Sequence, residues 1–330
     1  MGTVEHRGRG AGRIAGDLGQ AAPSPRPRPR PRMYEPETVR IPYNRLPPRN
    51  PPPGEPPTPS PEPPPRRDPV RTAVRTFGEV LITLGLVVLL FVVYEVYWTD
   101  LVSAGKQKDA TVALDDQWKG KDDPQRQDHF TGLGEGDGFA KMYIPAFGAD
   151  YHFTIVEGTT AASLEVGPGH YTHTAYPGES GNFAVAGHRV GKGAPFNDIN
   201  LINSCDAIVV ETQNNWFVYR ALPKEEEKAG WAEGKGKEAQ CKGVSVLGGE
   251  YAGVVGQQIV TPNDGLVVAP VPGKETAPSA GEQASLMTLT TCHPRFSDKQ
   301  RLIVHAVLVK QWAKDPAKPT WTPPELKETT

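Results

Sequence analysis

The sequence predicts an all-β domain, a sandwich or a barrel, held behind a single membrane-spanning helix. Three observations carry that prediction. From Phe139 onward the chain reads as about eight short β-type runs broken by Gly and Pro. Upstream, residues 80–94 hold no charged side chain. Composition also changes abruptly ahead of that run. Residues 1–79 contain 20 of the 35 prolines, no Lys, and 14 Arg against 8 Asp+Glu, a balance of +6. The remainder carries 22 Lys+Arg against 30 Asp+Glu, a balance of −8. The total of −2 hides this asymmetry between a basic arm and an acidic folded domain.

The N-terminal arm cannot bury a core. Residues 23–32 alternate Pro with Arg or Ser, and 47–65 are again proline-dense, which favours extended polyproline II. The arm reads as a solvated tail or as a docking arm for a protein or an anionic lipid. The apolar run continues past Glu95 through Val96, Tyr97 and Trp98. Counted from residue 80 at ~1.5 Å per residue, it spans roughly 28 Å, one hydrocarbon thickness. Tyr94, Tyr97 and Trp98 form an aromatic belt at its far end, and Arg66, Arg67, Arg71 and Arg75 flank the near end. The positive-inside rule then sets the N-terminus in the cytoplasm and the chain after about residue 100 outside the cell. The run begins too far along for a cleavable signal peptide. Residues 106–138 are polar, densely charged at 119–127, and read as a linker with a short helix around 110–118. The expected organisation is a tail (1–76), a membrane helix (77–99), an extracellular stalk (100–137), a folded domain (138–312) and a C-terminal tail (313–330).

Within the domain the candidate strands are 141–144, 151–156, 183–186, 207–212, 216–221, 259–261, 266–269, 285–291 and 302–310. A polar insertion at about 222–258, including Lys224-Glu225-Glu226-Glu227-Lys228, reads as a solvated face. Residues 167–182 are rich in Gly and Pro, with a turn at Pro177-Gly178. His170 and His173 invite a zinc site, but no compact ligand spacing accompanies them, and no metal is expected.

Chemistry concentrates near the C-terminus. Thr288-Leu289-Thr290-Thr291-Cys292-His293-Pro294 places a cysteine at the end of a β-like run, and Arg301 opens the next run. Upstream, Ala186-Gly187-His188-Arg189 supplies a histidine. The thiolate is the nucleophilic form of cysteine, and a nearby His or Arg can activate it. A guanidinium stays charged and suits the oxyanion of acyl transfer. One cysteine with a distant histidine is a moderately specific signature.

The strings themselves are more specific. Thr288-Leu289-Thr290-Thr291-Cys292 resembles the T-L-x-T-C signature of sortases, membrane-anchored cysteine transpeptidases of Gram-positive bacteria. Arg301 before a β-rich run resembles the sortase arginine, and Ala186-Gly187-His188 the histidine motif. Gly167-Pro168-Gly169-His170-Tyr171, Thr261-Pro262-Asn263-Asp264 and Cys292-His293-Pro294-Arg295-Phe296-Ser297 resemble the class E branch of actinobacteria. The resemblance covers about residues 137–312 and implies an eight-stranded sortase β-barrel. It makes Cys292 the nucleophile, His188 the acid/base and Arg301 the oxyanion partner. Tyr171, Thr290 and Thr291 become candidate substrate contacts.

The resemblance further implies that the enzyme cleaves an L-A-x-T-G or L-P-x-T-G signal on secreted proteins between Thr and Gly. It then joins them to an amine of lipid II or peptidoglycan. No cofactor and no nucleic-acid partner is expected. A pilus-polymerising sortase, and another cysteine peptidase or an L,D-transpeptidase, are the alternatives. A catalytic Cys292 must be free. Cys205 and Cys241 then remain, predicted to be extracellular, where a disulfide can persist; they are either bridged or both reduced and buried.

Overall fold

The structure is a computed structural model and describes residues 68–119 and 128–329. The expectations for the proline-rich arm over 1–67 and for the charged stretch at 120–127 fall outside the described residues.

Asp68 starts the first helix. Its carboxylate accepts from the Val70 amide at 3.1 Å, and Pro69 takes the first helical position, where a missing N–H is tolerated. Helix α1, Pro69–Val93, has 25 residues, about 37 Å. None of them is buried by protein, and this apolar helix fits a single-pass membrane anchor.

A π-helical turn at Tyr94–Trp98 carries the chain into α2, Thr99–Trp118. Part of the segment that reads as a linker is thus a 20-residue helix lying on the folded domain. Its contacts are mostly polar. The Gln107 amide donates to the Thr154 and Val166 carbonyls (3.2 and 2.8 Å). Thr111 and Thr154 share a hydrogen bond of 2.7 Å, and Lys106 pairs with Glu165 at 2.8 Å. Asp100 accepts from the Gly193 amide at 3.0 Å, and Leu114 is buried. A polar contact face leaves no apolar stripe in the sequence, so the helix is hard to read there.

Nine strands follow: β1 Gly138–Tyr143, β2 His152–Glu157, β3 Gly169–His170, β4 Gly181–Ala186, β5 Ala207–Glu211, β6 Asn215–Ala221, β7 Gln257–Val260, β8 Ser285–His293 and β9 Gln300–Ala313. A short helix, α3 Ala161–Val166, lies between β2 and β3. Eight strands close a barrel in the order β6-β5-β1-β2-β3-β4-β8-β9, with β9 returning to β6. The pairs β2–β3 and β4–β8 are parallel, and the rest are antiparallel.

The length of β9 makes closure possible. One edge pairs with β8 along its N-terminal half. The other edge pairs first with β7 (Gln257↔Val304 to Val260↔Arg301) and then with β6 (Ala221↔Ala306 to Asn215↔Ala313). The eight-stranded barrel expected from the sequence is therefore present, with β7 as a ninth strand on its flank.

Alternation sorts the faces. Met287 and Leu289, with their ladder partners Ala306 and Val304, join Ile155, Phe183, Val185, Ile208 and Tyr219 in the barrel core. The residues between them face the other way: Thr288, Thr290 and Cys292 on β8, opposite His305, Ile303 and Arg301 on β9. That outer face carries the candidate chemistry. The insertion is folded over another part of the wall. Leu222, Trp231, Val244 and Val254 cluster with Cys205 and Cys241 against Val307 and Val309. Cys205 and Cys241 are disulfide-bonded across a separation of 36 residues.

Candidate active site

The parallel β4–β8 ladder sets the site. Its last rungs are Ala184↔Thr288 to Ala186↔Thr290, and the Gly187 amide donates to the Thr290 carbonyl at 3.0 Å. Two residues beyond that rung the strands present His188 and Cys292. Both line one cavity of about 310 Å³, with Arg189, Val190, Phe296, Ser297 and Asp298. Glycine is required before the histidine. A Cβ on Gly187 would lie 2.5 Å from the buried Phe196 ring, so the bare backbone is what lets His188 sit against this packing.

Cys292 is a free, half-buried thiol. Arg301 is its direct ladder partner on β9. The Arg301 guanidinium is turned to the β8–β9 loop, donating to the Asp298 and Gln300 carbonyls at 2.7 and 3.0 Å, and it is not among the residues lining the cavity. His188 Nε2 is buried and has no hydrogen-bond partner. Burial, and then the nearby Lys192 charge, lower its pKa below the ordinary histidine value, so the resting imidazole is neutral at neutral pH.

The other candidates fall into distinct places. The Tyr171 and Thr290 hydroxyls are 3.0 Å apart; Thr290 shares the strand face of Cys292 but is itself buried, at 4% exposed, so of the pair only the half-buried Tyr171 has surface to offer. Thr291 points the opposite way, is buried, and donates to the Gly187 carbonyl at 2.7 Å. It braces the segment before His188 and offers no surface to a ligand. Thr288 is also buried. It donates to Asn182 Oδ1 at 2.7 Å and meets His305 Nδ1 at 2.8 Å. His305 Nε2 is 3.1 Å from Gln258 Nε2, which can only donate, so His305 is neutral with its proton on Nδ1. Complete burial holds its pKa down at about 4.

The two histidines of the zinc idea part company. His173 is exposed. His170 is buried, with Nδ1 2.9 Å from Glu157 and Nε2 3.1 Å from the Ala175 carbonyl, so both ring nitrogens are engaged within the fold.

Arg189 and Phe296 complete the cavity, and neither was singled out from the sequence. Arg189 is 6% exposed and donates to His293 Nδ1 (2.7 Å), the Cys292 carbonyl (3.4 Å) and Asn200 Oδ1 (2.9 Å). Phe296 is 84% exposed at a φ of 63°. The available signal was adjacency: one follows the histidine directly and the other lies four residues after the cysteine.

Comparison with known proteins places this arrangement. A Sortase domain model matches residues 142–309. Over 250 residues the chain is 32% identical to Sortase SrtE1 of Streptomyces coelicolor, covering 73% of this chain and 59% of that protein. It is 30% identical to Sortase SrtE2 of the same organism over 246 residues, 71% of this chain and 81% of the relative. Thus the chain spans less than two thirds of the length of the first relative and most of the second. The structure of SrtF sortase from Corynebacterium diphtheriae matches at 45% identity and a TM-score of 0.55, covering 61% of this chain and 97% of that one. With the motif strings, the closed barrel and the family match all falling on the same residues, the chain belongs to the sortase family of cysteine transpeptidases.

Proposed function

We propose that this protein is a membrane-anchored sortase with Cys292 as nucleophile, His188 as general acid and base, and Arg301 as oxyanion partner. It joins secreted proteins to a cell-wall amine. The observation that carries the reading is the convergence of the free Cys292 and His188 in one cavity, two residues past the last β4–β8 rung. Helix α1 would hold the domain at the outer face of the cell membrane, with the N-terminus in the cytoplasm.

In this mechanism the neutral His188 takes the Cys292 thiol proton, and Sγ attacks the threonine carbonyl of an L-A-x-T-G or L-P-x-T-G signal. The tetrahedral oxyanion forms facing a cationic donor, for which Arg301 must swing from the Asp298 and Gln300 carbonyls toward its ladder partner. His188 protonates the glycine nitrogen as the C–N bond breaks, leaving a thioester on Cys292. An acceptor amine then attacks the thioester and gives its proton to His188. The C–S bond breaks as the new amide forms, and the departing sulfur takes that proton from His188, restoring the thiol and the neutral ring. Tyr171, whose hydroxyl is hydrogen-bonded to the buried Thr290, is assigned the contact with the signal upstream of the scissile bond.

The test uses the full chain in detergent with an L-A-x-T-G peptide and a glycine amine, read by mass spectrometry. A thioester on Cys292 and a transpeptidated product, both lost in Cys292→Ala, support the reading, as do ping-pong kinetics. If neither this peptide nor L-P-x-T-G acylates Cys292, the reading fails.

A further inference from the structure

We propose that Arg189 is a positioning residue of this active site, holding Cys292 and His188 in register beyond the end of the β-ladder and supplying the cavity with its buried positive charge. The inference rests on the reading of Cys292 and His188 given above.

The first argument is geometric. Backbone pairing between β4 and β8 ends with the Gly187-to-Thr290 hydrogen bond. His188 and Cys292 both lie past that point. Side chains take over the connection there. Thr291 donates back to the Gly187 carbonyl, and Arg189 reaches from the residue after His188 to the carbonyl of Cys292. The same guanidinium donates to His293 Nδ1 and to Asn200 Oδ1, so one fork joins the histidine segment, the cysteine segment and the turn at Ile199–Leu201. A guanidinium has no acceptor capacity, so His293 Nδ1 must be the unprotonated nitrogen. Burial and the Arg189 charge keep the His293 pKa below the ordinary value.

The second argument concerns cost. Arg189 is buried, its Nε has no hydrogen-bond partner, and among the described residues no carboxylate lies within ion-pair distance of it. The nearby Asp198 is engaged by Arg295 at 2.9 Å. An unpaired buried cation is expensive, and an apolar side chain of similar volume would serve stability as well or better. Its location in the nucleophile's cavity gives the charge a use. Negative charge arises there as thiolate and as oxyanion, and a fixed cation favours both. Arg301, by contrast, is turned toward backbone carbonyls outside the lining of the cavity.

The experiment compares the full-length protein with Arg189→Met and Asn200→Ala. Three quantities are read: single-turnover thioester formation, iodoacetamide alkylation of Cys292 at pH 7, and the thermal midpoint. For Arg189→Met the acylation rate constant is expected to fall about 10- to 100-fold with KM changed less than about twofold. Alkylation is expected to slow several-fold, and the midpoint to stay within about 3 °C of the wild type. Asn200→Ala keeps the charge and frees one arm of the fork, so a loss of roughly 3- to 10-fold in acylation with normal alkylation is expected. A rate loss in Arg189→Met that merely follows a large fall in midpoint overturns the proposal, as does an acylation rate within about threefold of the wild type. Should Arg189→Met fail to fold, wild-type acylation by Asn200→Ala overturns it by itself. Alkylation needs no substrate, so it judges Arg189 even if the wild type forms no thioester with the peptides, the outcome that would count against the transpeptidase reading instead.

Discussion

Cys292 and Arg301 are direct partners in the antiparallel β8–β9 ladder, facing outward from the same rung. Such a pairing fixes the two Cα positions to within the tolerance of a β-sheet and leaves only side-chain rotation to bring the guanidinium to the reacting carbon. Arg301→Ala is therefore expected to lower the acylation rate about 10²- to 10³-fold, the size of effect seen when one oxyanion donor is removed. The circular dichroism spectrum should be unaltered. Arg301→Lys should recover only part of the loss, since a point charge replaces a fork. An Arg301→Ala enzyme with near-normal acylation would hand the oxyanion role to another group.

Tyr171 and Thr290 make the second prediction. Their hydroxyls are 3.0 Å apart, with Thr290 buried beneath the half-buried Tyr171 and two residues before Cys292 on β8. Thr290→Val keeps the shape of the side chain and removes the hydroxyl, leaving the Tyr171 hydroxyl with one partner fewer. Loss of one hydrogen bond of this kind is worth about 1 kcal/mol, roughly a fivefold change. Peptide KM is expected to rise by that factor, with little change in the single-turnover rate at saturation. An unchanged KM would mean that the pair is structural.

The third prediction concerns protonation. Burial and the Lys192 charge both disfavour the imidazolium of His188. NMR titration should therefore place its pKa below the ordinary ~6.5, so that the neutral ring dominates at pH 7. Removing the Lys192 charge in Lys192→Gln must move that pKa upward. Glu165 raises it already, and it loses its Lys192 partner at 3.0 Å in the variant. The limb of the pH–rate profile governed by His188 should move to higher pH with it. A downward or null shift would show that the charge of Lys192 does not act on the ring.

An all-β domain was legible from short runs broken by Gly and Pro, but the choice of barrel over sandwich came only with the motif strings. The alternation that the fold uses, Met287 and Leu289 inward with Thr288, Thr290 and Cys292 outward, does not by itself say whether a sheet closes. Cys292, His188 and Arg301 could be named because they sit in short strings at strand ends. Thr291 was grouped with the substrate contacts because a string carries no face; one residue of offset turns it inward to Gly187. Helix α2 was only partly legible, since Gln107, Thr111 and Lys106 bind the barrel through polar groups. Arg189 was passed over for a related reason. An arginine in a sequence reads as exposed, and only the fold shows it buried between His293 and Asn200.

The disulfide gives the last prediction. Cys205 precedes β5, and Cys241 lies within the insertion, so the bridge ties 36 residues of chain to the barrel. In the chain-entropy estimate a loop of that length contributes about 4 kcal/mol. The bridged residues are buried with Leu222, Trp231, Val244 and Val254 against Val307 and Val309. Val309 is eight residues along β9 from Arg301, roughly 26 Å at ~3.3 Å per residue, so the cluster lies far from Cys292. Cys241→Ser should therefore lower the thermal midpoint by roughly 10 °C. Hydrogen exchange should quicken over 222–256 first, while acylation at 20 °C stays near the wild-type rate. A midpoint unmoved by the substitution would mean that the apolar cluster alone holds the insertion. Loss of acylation at low temperature would instead reveal a path from the insertion to the active site along β9.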